Sequence, residues 1–507
     1  MVNDESISME NLEKPHGDPS KASIIQVESQ TEQLNRTLKT RHLSMIAIGG
    51  TIGTGLFIAS GQSIANGGPG GALVAYGLIG VMVFFLMTSL GEMAAYIPIS
   101  GSFNTYGSRF VDPAFGFALG WNYWLSWAIT VATELSAGEG IMQMRISTEK
   151  CPGIVWAFIL LLFIVGFNAL SVKGYGEAEF WFALIKVITV IIFVIVGILV
   201  SAGVLGGKVY GVKNFTVGEA PFVNGFIGVL NVFLAAGFSF QGTEMVGVAA
   251  GESANPEKDI PKAVKQVFWR IVLFYICAIF VISMLIPYTD PDLTQNDVAT
   301  SPFTLGFERS GFTQSKNVMN AIILVTILSA GNSGMYGASR TLWMLANEGK
   351  APKIFKKVNS GGIPIYSLAF TALIACLSFL SSLFGNKVVY IWLLNASSVT
   401  GFIAWLGIAV SHYRFRKAYI AQGRDMNDLP YHAKWFPFGP IVAFVICFIV
   451  IAGQGYTGFA SDPIDWSAIC AAYLGVVIFI IFFVSYKVVK KTKMVPLLEC
   501  DFSRVNI

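Results

Sequence analysis

The chain is built from long apolar runs separated by short polar connectors. Twelve of these runs are long enough to cross a bilayer: 43–66, 71–97, 115–144, 153–171, 178–203, 225–250, 266–288, 317–346, 364–384, 388–413, 436–455 and 464–486. About 20 apolar residues cross a hydrocarbon core roughly 30 Å thick. The pattern therefore predicts an all-α polytopic membrane protein of twelve transmembrane helices. It divides the chain into a polar tail over 1–42, read as disordered, and a ten-helix core over 43–413. The last two helices and the loop before them occupy 414–487, and a C-terminal tail covers 488–507.

Two runs carry breaks that a continuous helix would not favour. The first contains "IAIGGTIGTGLF", with Gly49, Gly50, Gly53 and Gly55, and the sixth contains "AAGFSFQGTE", with Gly237 and Gly242 around polar residues. Each interior glycine costs about 1 kcal/mol of helix propensity relative to alanine. Breaks in runs one and six predict a five-plus-five repeat. An odd number of spans in each half makes the two halves inverted, an architecture in which substrate binds between the unwound segments near mid-membrane. The free N–H groups around Gly53, Thr54 and Gly55 would suit a carboxylate. The carbonyls that end the sixth half-helix near Phe238 and Ser239 would suit an ammonium. Glycines in one membrane helix often only permit close packing. Breaks in both matching runs favour the binding reading.

Composition narrows the class further. The chain is 54% hydrophobic and only 13% charged, with a mean hydropathy of +0.63, which excludes an ordinary soluble protein of this size. Most of the 34 Lys and Arg residues fall in the two tails and in alternate loops. The positive-inside rule then places both termini in the cytoplasm, and the net charge of +4 reflects that bias, not nucleic-acid binding. The acidic, polar first 42 residues lack an apolar core, so they are not read as a secretory signal. Cys151, Cys277, Cys376, Cys447, Cys470 and Cys500 lie singly, without metal-site or disulfide spacing. His16, His42, His412 and His432 fall outside the runs or at their rims and are read as surface residues. No nucleophile–base pairing or cofactor motif points to an enzyme. Sparse charge and broken helices argue against a channel.

Ionisable residues inside apolar runs cost at least about 2.5–3.5 kcal/mol each on insertion scales, so each one is a functional candidate. Lys186 lies within "WFALIKVITVIIFVIV" and is read as a proton-coupling group, with a fixed structural lysine as the alternative. Tyr123, Trp127 and Glu134 follow at steps of four and seven residues on one helix face. Together they would form an aromatic and acidic pocket for a cation with an alkyl stem; an interfacial aromatic cluster is the plainer alternative. Glu244 stands two residues after the sixth-run break, where a helix start favours a carboxylate, and is expected to face the cavity. Glu252 lies about 12 Å further along an unbroken helix, near the cytoplasmic edge. Glu92 reads as structural.

Five segments carry a family resemblance: "LKTRHLSMIAIGGTIGTGLF", "GSFNTYGSRFVDPAFGFALGWNYW", "GFSFQGTEMVGVAAGESANPEKDIPKAVKQVFWRI", "LSAGNSGMYGASRTLW" and "WLLNASSVTGFIAWLGIAVSHYRFR". They resemble the amino acid permeases of the amino acid-polyamine-organocation superfamily, and within it the bacterial lysine-specific permeases. The resemblance runs from about Leu38 to near Lys487. It implies an inverted-repeat transporter of the cell membrane that takes up L-lysine with protons. It also implies roles for Gly53, Thr54 and Gly55 at the substrate carboxylate, for Tyr123, Trp127, Phe238, Glu244 and Glu252 in substrate binding, and for Lys186 in place of a coupling cation. Glu134 departs from it, standing where the lysine permeases carry a shorter acid. A cationic amino acid exchanger and a lysine-binding nutrient sensor remain alternatives.

Overall fold

The computed structural model describes residues 52–99, 102–170, 172–248, 255–294, 301–359 and 361–503. These residues form helices joined by short loops, with no strand among them. A π-helical turn, Gly55–Ala59, leads into α1 (Ser60–Tyr96). It is followed by α2 (Ser102–Phe110), α3 (Pro113–Gln143), α4 (Gly153–Leu170) and α5 (Val172–Ser201). The sixth predicted run forms α6 (Gly225–Phe240) and the short α7 (Met245–Val248). Then come α8 (Pro256–Arg270), a π-helical turn over Ile271–Ile276, and α9 (Cys277–Leu285). The remaining long helices are α10 (Ser315–Asn347), α11 (Ile365–Ala375), α12 (Asn386–Ala421), α13 (Phe438–Gly453) and α14 (Trp466–Lys490).

Among the described residues, nine helical stretches are long and apolar enough to cross a membrane, against the twelve runs read from sequence. Local physics accounts for the difference. The described part of the first run and the second run count as one stretch, Gly55–Tyr96, although they are two helices meeting at a kink at Gly68 (φ 72°), just before Pro69. The amides freed by that turn are not orphaned, because Gly70 and Gly71 both donate to the Pro221 carbonyl, at 2.8 and 3.3 Å. The fourth run forms only a shorter apolar helix, Gly153–Ala169. Helix α3 follows the third run, but its buried Ser126, Thr130, Thr133, Glu134, Ser136 and Glu139 dilute its hydropathy.

That dilution reflects where α3 sits. It packs along α10, α12 and α14, while α1 packs along α6, so α3 meets protein on most sides and needs no lipid-facing apolar surface. The helix starts cleanly: the Asp112 carboxylate accepts from the Ala114 amide at 2.8 Å, and Pro113 occupies the first turn. At the periphery, the apolar window of α14 is 17% buried, against 78% for that of α12. Ile480, Ile481 and Val484 of α14 project outward, as a lipid-facing helix requires.

After α14 the chain turns back at Lys491 (φ 50°) and lies against the helix ends. The Val495 amide donates to the Val111 carbonyl at 2.9 Å, and Gln422 Nε2 donates to the Cys500 carbonyl at 2.8 Å. The Phe502 ring is buried against Phe110, Phe415 and Tyr419, with centroids 5.1–5.3 Å apart. The segment read from sequence as a simple tail is therefore docked through residue 503.

Candidate functional site

The predicted break in the sixth run has a physical form; of the first, Gly49 and Gly50 lie outside the described residues. Ile52 and Gly53 precede helical geometry, which begins at Thr54. Helix α6 stops at Gln241, whose ψ of 141° leaves the helix, and Gly242 takes a φ of 92° before α7 resumes. The second break is pinned by side chains. Gln241 Nε2 donates to Ser126 Oγ of α3 at 2.7 Å, and Gln241 Oε1 accepts from Ser397 Oγ of α12 at 3.0 Å. Ser397 Oγ lies 2.6 Å from Thr130 Oγ1. Irregular backbone at membrane depth persists only where such partners or a wet cavity satisfy it.

The start of the described first-run helix touches the end of α6. A side chain at Gly55 would come within 2.6 Å of Ser239 Cα, so only glycine permits this approach of the first run to the backbone of α6. Between them lies a small cavity of about 20 Å³ lined by Gly53, Gly55, Trp127, Thr130, Glu134, Phe238, Gln241, Ala330 and Ser333. That volume holds about one water; an amino acid needs the site to open.

Glu134 projects from α3 to this junction. Its Oε1 accepts from the Thr54 amide at 3.3 Å and from Thr54 Oγ1 at 3.1 Å. Its Oε2 is buried with no hydrogen-bond partner among the described residues. The N–H of Thr54, expected from sequence to meet a substrate carboxylate, here meets a carboxylate of the protein itself. Trp127 lines the cavity beside Glu134.

The other expected site residues divide. Phe238 lines the cavity. The Ser239 carbonyl, expected to be open for an ammonium, instead accepts from Tyr275 Oη at 2.7 Å, and its hydroxyl lies 3.1 Å from Tyr76 Oη. Glu244, expected to face the cavity, is buried but is not among the residues lining it. Its Oε2 accepts from the Gly242 amide at 3.1 Å and from Trp405 Nε1 at 3.0 Å, and its Oε1 accepts from Tyr123 Oη at 3.4 Å. The tight turn at Gly242 aims the carboxylate toward α12, which sequence spacing does not reveal. Tyr123 goes with it, stacked edge-on against Phe103 at 4.7 Å. Glu252 lies outside the described residues.

Lys186 is completely buried. Its Nζ donates to Ser329 Oγ of α10 at 2.8 Å and lies 3.7 Å from Glu179 Oε1. Glu179 did not figure in the sequence reading, although a seven-residue step places it on the same helix face as Lys186. Gln241, Thr130, Ser333 and Trp405 were also missed; ordinary polar residues in helices carry no distinctive signal. His412, read as a surface residue, is fully buried. Helix α12 continues past the expected end at 413, and the following loop covers it. His412 Nε2 lies 3.2 Å from Glu92 Oε1, and the same carboxylate takes the Ala433 amide at 2.6 Å and a two-pronged contact from Arg416. Glu92 is therefore a tie between α1, α12 and that loop.

A polytopic helical bundle, with a broken sixth run and the start of helix at Thr54 meeting at a small buried cavity, fits a membrane transport protein. The sequence profile described as "Amino acid permease" matches residues 42–499, and the chain belongs to that family. It is 56% identical to the lysine-specific permease LysP of Escherichia coli over 92% of this chain and 96% of that one. It is 51% identical to LysP of Lactococcus lactis, over 94% of each chain. It is also 49% identical to the histidine permease HisP of L. lactis, over 93% of this chain and 98% of that one.

Proposed function

We propose that this permease is a proton-coupled secondary transporter that imports L-lysine across the cell membrane by alternating access, with both termini cytoplasmic. The full architecture in this reading is twelve spans with a five-plus-five inverted repeat. The observation that carries it is the buried Oε2 of Glu134, without a hydrogen-bond partner among the described residues, beside the junction of the Thr54–Gly55 segment and the sixth-run break. A carboxylate oxygen left without a donor in a buried site is costly unless a cation or a proton arrives. A side-chain ammonium supplies one, and Trp127 provides an aromatic wall for the alkyl stem. The names of the relatives support lysine as that cation.

The site is too small for substrate as it stands, so binding requires the segments around Gly55 and Gln241 to part. The Gln241–Ser126–Ser397 bonds would be exchanged in that motion. Lys186 carries the coupling proton in this reading, consistent with its isolation from solvent. Substrate-free proteoliposomes given an inward proton gradient should accumulate labelled lysine, which separates symport from exchange. Competition by arginine, ornithine, histidine and neutral amino acids then sets the substrate class. Accumulation that needs internal amino acid would refute proton symport, and stronger competition by histidine would move the substrate assignment to that of the histidine permease relative.

A further inference from the structure

Lys186 does not stand alone. Its ammonium donates to Ser329 Oγ at 2.8 Å, and Ser329 Oγ in turn donates to Glu179 Oε1 at 2.6 Å. Both charged side chains have zero exposure. A hydroxyl that accepts one proton-bearing bond and donates another is a one-proton bridge between an amine and a carboxylate. Ser333, one helical turn beyond Ser329, lines the substrate cavity and acts on the Glu179 carboxylate. Glu134 of α3 and Arg270 of α8 are further charges in the electrostatic surroundings of Lys186.

This geometry constrains where a proton can be gained. If Lys186 gave up its proton to solvent while Glu179 stayed ionised, a buried carboxylate would lose its counter-charge. Breaking a buried pair in that way is strongly unfavourable. We propose that Glu179 is the residue on which the coupling proton is gained and lost, with Ser329 as the bridge and Lys186 as the counter-charge that each protonation releases; this rests on the proton-coupled reading above.

The proton count closes. In the unloaded state the pair is an ammonium and a carboxylate, net charge zero. Along the bridge, one proton passes from Lys186 Nζ to Ser329 Oγ while the hydroxyl's own proton passes to Glu179 Oε1. That yields an amine and a carboxylic acid, again net zero, with no bond between heavy atoms broken. One external proton added to the amine then gives an ammonium and a carboxylic acid, net charge +1. The released ammonium stays beside Ser329, one turn of α10 from the cavity-lining Ser333. Loading Glu179 thereby reports to the cavity.

The experiment compares Glu179→Gln, Ser329→Ala and Lys186→Ala in proteoliposomes, with two readouts: accumulation of labelled lysine under a proton gradient, and lysine counterflow, which needs no net proton movement. Glu179→Gln should lose about tenfold or more of gradient-driven accumulation while counterflow stays within about threefold of wild type. Ser329→Ala removes the bridge without removing a charge and should shift the pH dependence of uptake, which keeps the inference testable if Glu179→Gln fails to fold. If Lys186→Ala loses drive but Glu179→Gln and Ser329→Ala keep the wild-type pH profile, the role of Glu179 is overturned and that of Lys186 stands. If Lys186→Ala itself keeps full drive, the proton-coupled reading fails first.

Discussion

At Gly55 a single added methyl group should have a large effect on transport. A methyl group there would sit 2.6 Å from Ser239 Cα, 2.8 Å from its amide nitrogen and 2.9 Å from its hydroxyl oxygen. Two of those atoms are backbone, so no rotamer change relieves the overlap. Restoring an ordinary contact of 3.4 Å requires the first and sixth runs to separate by about 0.8 Å. Overpacking of this kind costs about 1–3 kcal/mol, and a misplacement near 1 Å at a positioned site can cost about a hundredfold in rate. Gly55→Ala is therefore expected to lower the melting temperature of purified protein and to cut the initial rate of lysine uptake at least tenfold, equivalent to about 1.4 kcal/mol. Gly77→Ala is the internal control: nothing lies within 4 Å of its added methyl group, and α1 should gain about 1 kcal/mol of helix propensity there. Wild-type uptake and melting temperature in Gly55→Ala, at equal expression, would refute the close approach of the two breaks.

Other outcomes follow from the same geometry. Glu134→Gln should weaken lysine binding more than Glu244→Gln, because one Glu134 oxygen at the cavity has no donor among the described residues whereas both Glu244 oxygens have donors; titration calorimetry giving the reverse order would return the selecting charge to Glu244. Arg416→Ala strands the buried Glu92 carboxylate and should destabilise the protein by about 3–5 kcal/mol, read by denaturation in detergent, whereas an unchanged midpoint would show the tie to be dispensable. Asp112 fixes the docked C-terminal segment: burial alone would raise its carboxyl, but Lys487, the Ala114 amide and Thr492 outweigh that and hold it below the ordinary 3.8. A depressed carboxyl contributes stability above its unfolded value and loses it as pH falls through the folded one. Amide protection over residues 492–503, relative to the intrinsic exchange rate at each pH, should therefore be high at neutral pH and fall only in acid, and Asp112→Asn should remove that pH dependence; protection equally low at both pH values would mean that Asp112 does not hold the segment.

The apolar runs, the glycine-marked breaks and the in-span ionisable residues were all legible along the chain, because each depends on local composition. A run of about 20 apolar residues cannot be reconciled with water, and clustered glycine within it weakens the helix wherever the fold places it. Sequence alone thus determined the class of protein and the break in the sixth run, and it marked Glu134 and Lys186 as candidates. Only tertiary structure decided partnership. Glu134 and Glu244 look equivalent as carboxylates in apolar runs, yet one borders the cavity while the other is saturated by Trp405, Tyr123 and Gly242. That choice depends on a turn at Gly242 and on a tryptophan 161 residues away, which no local pattern encodes. His412 and Glu179 carry the same lesson. A side chain's burial and counter-charge are set by which helices pack against it, and the packing of helices distant in sequence is a property of the whole fold.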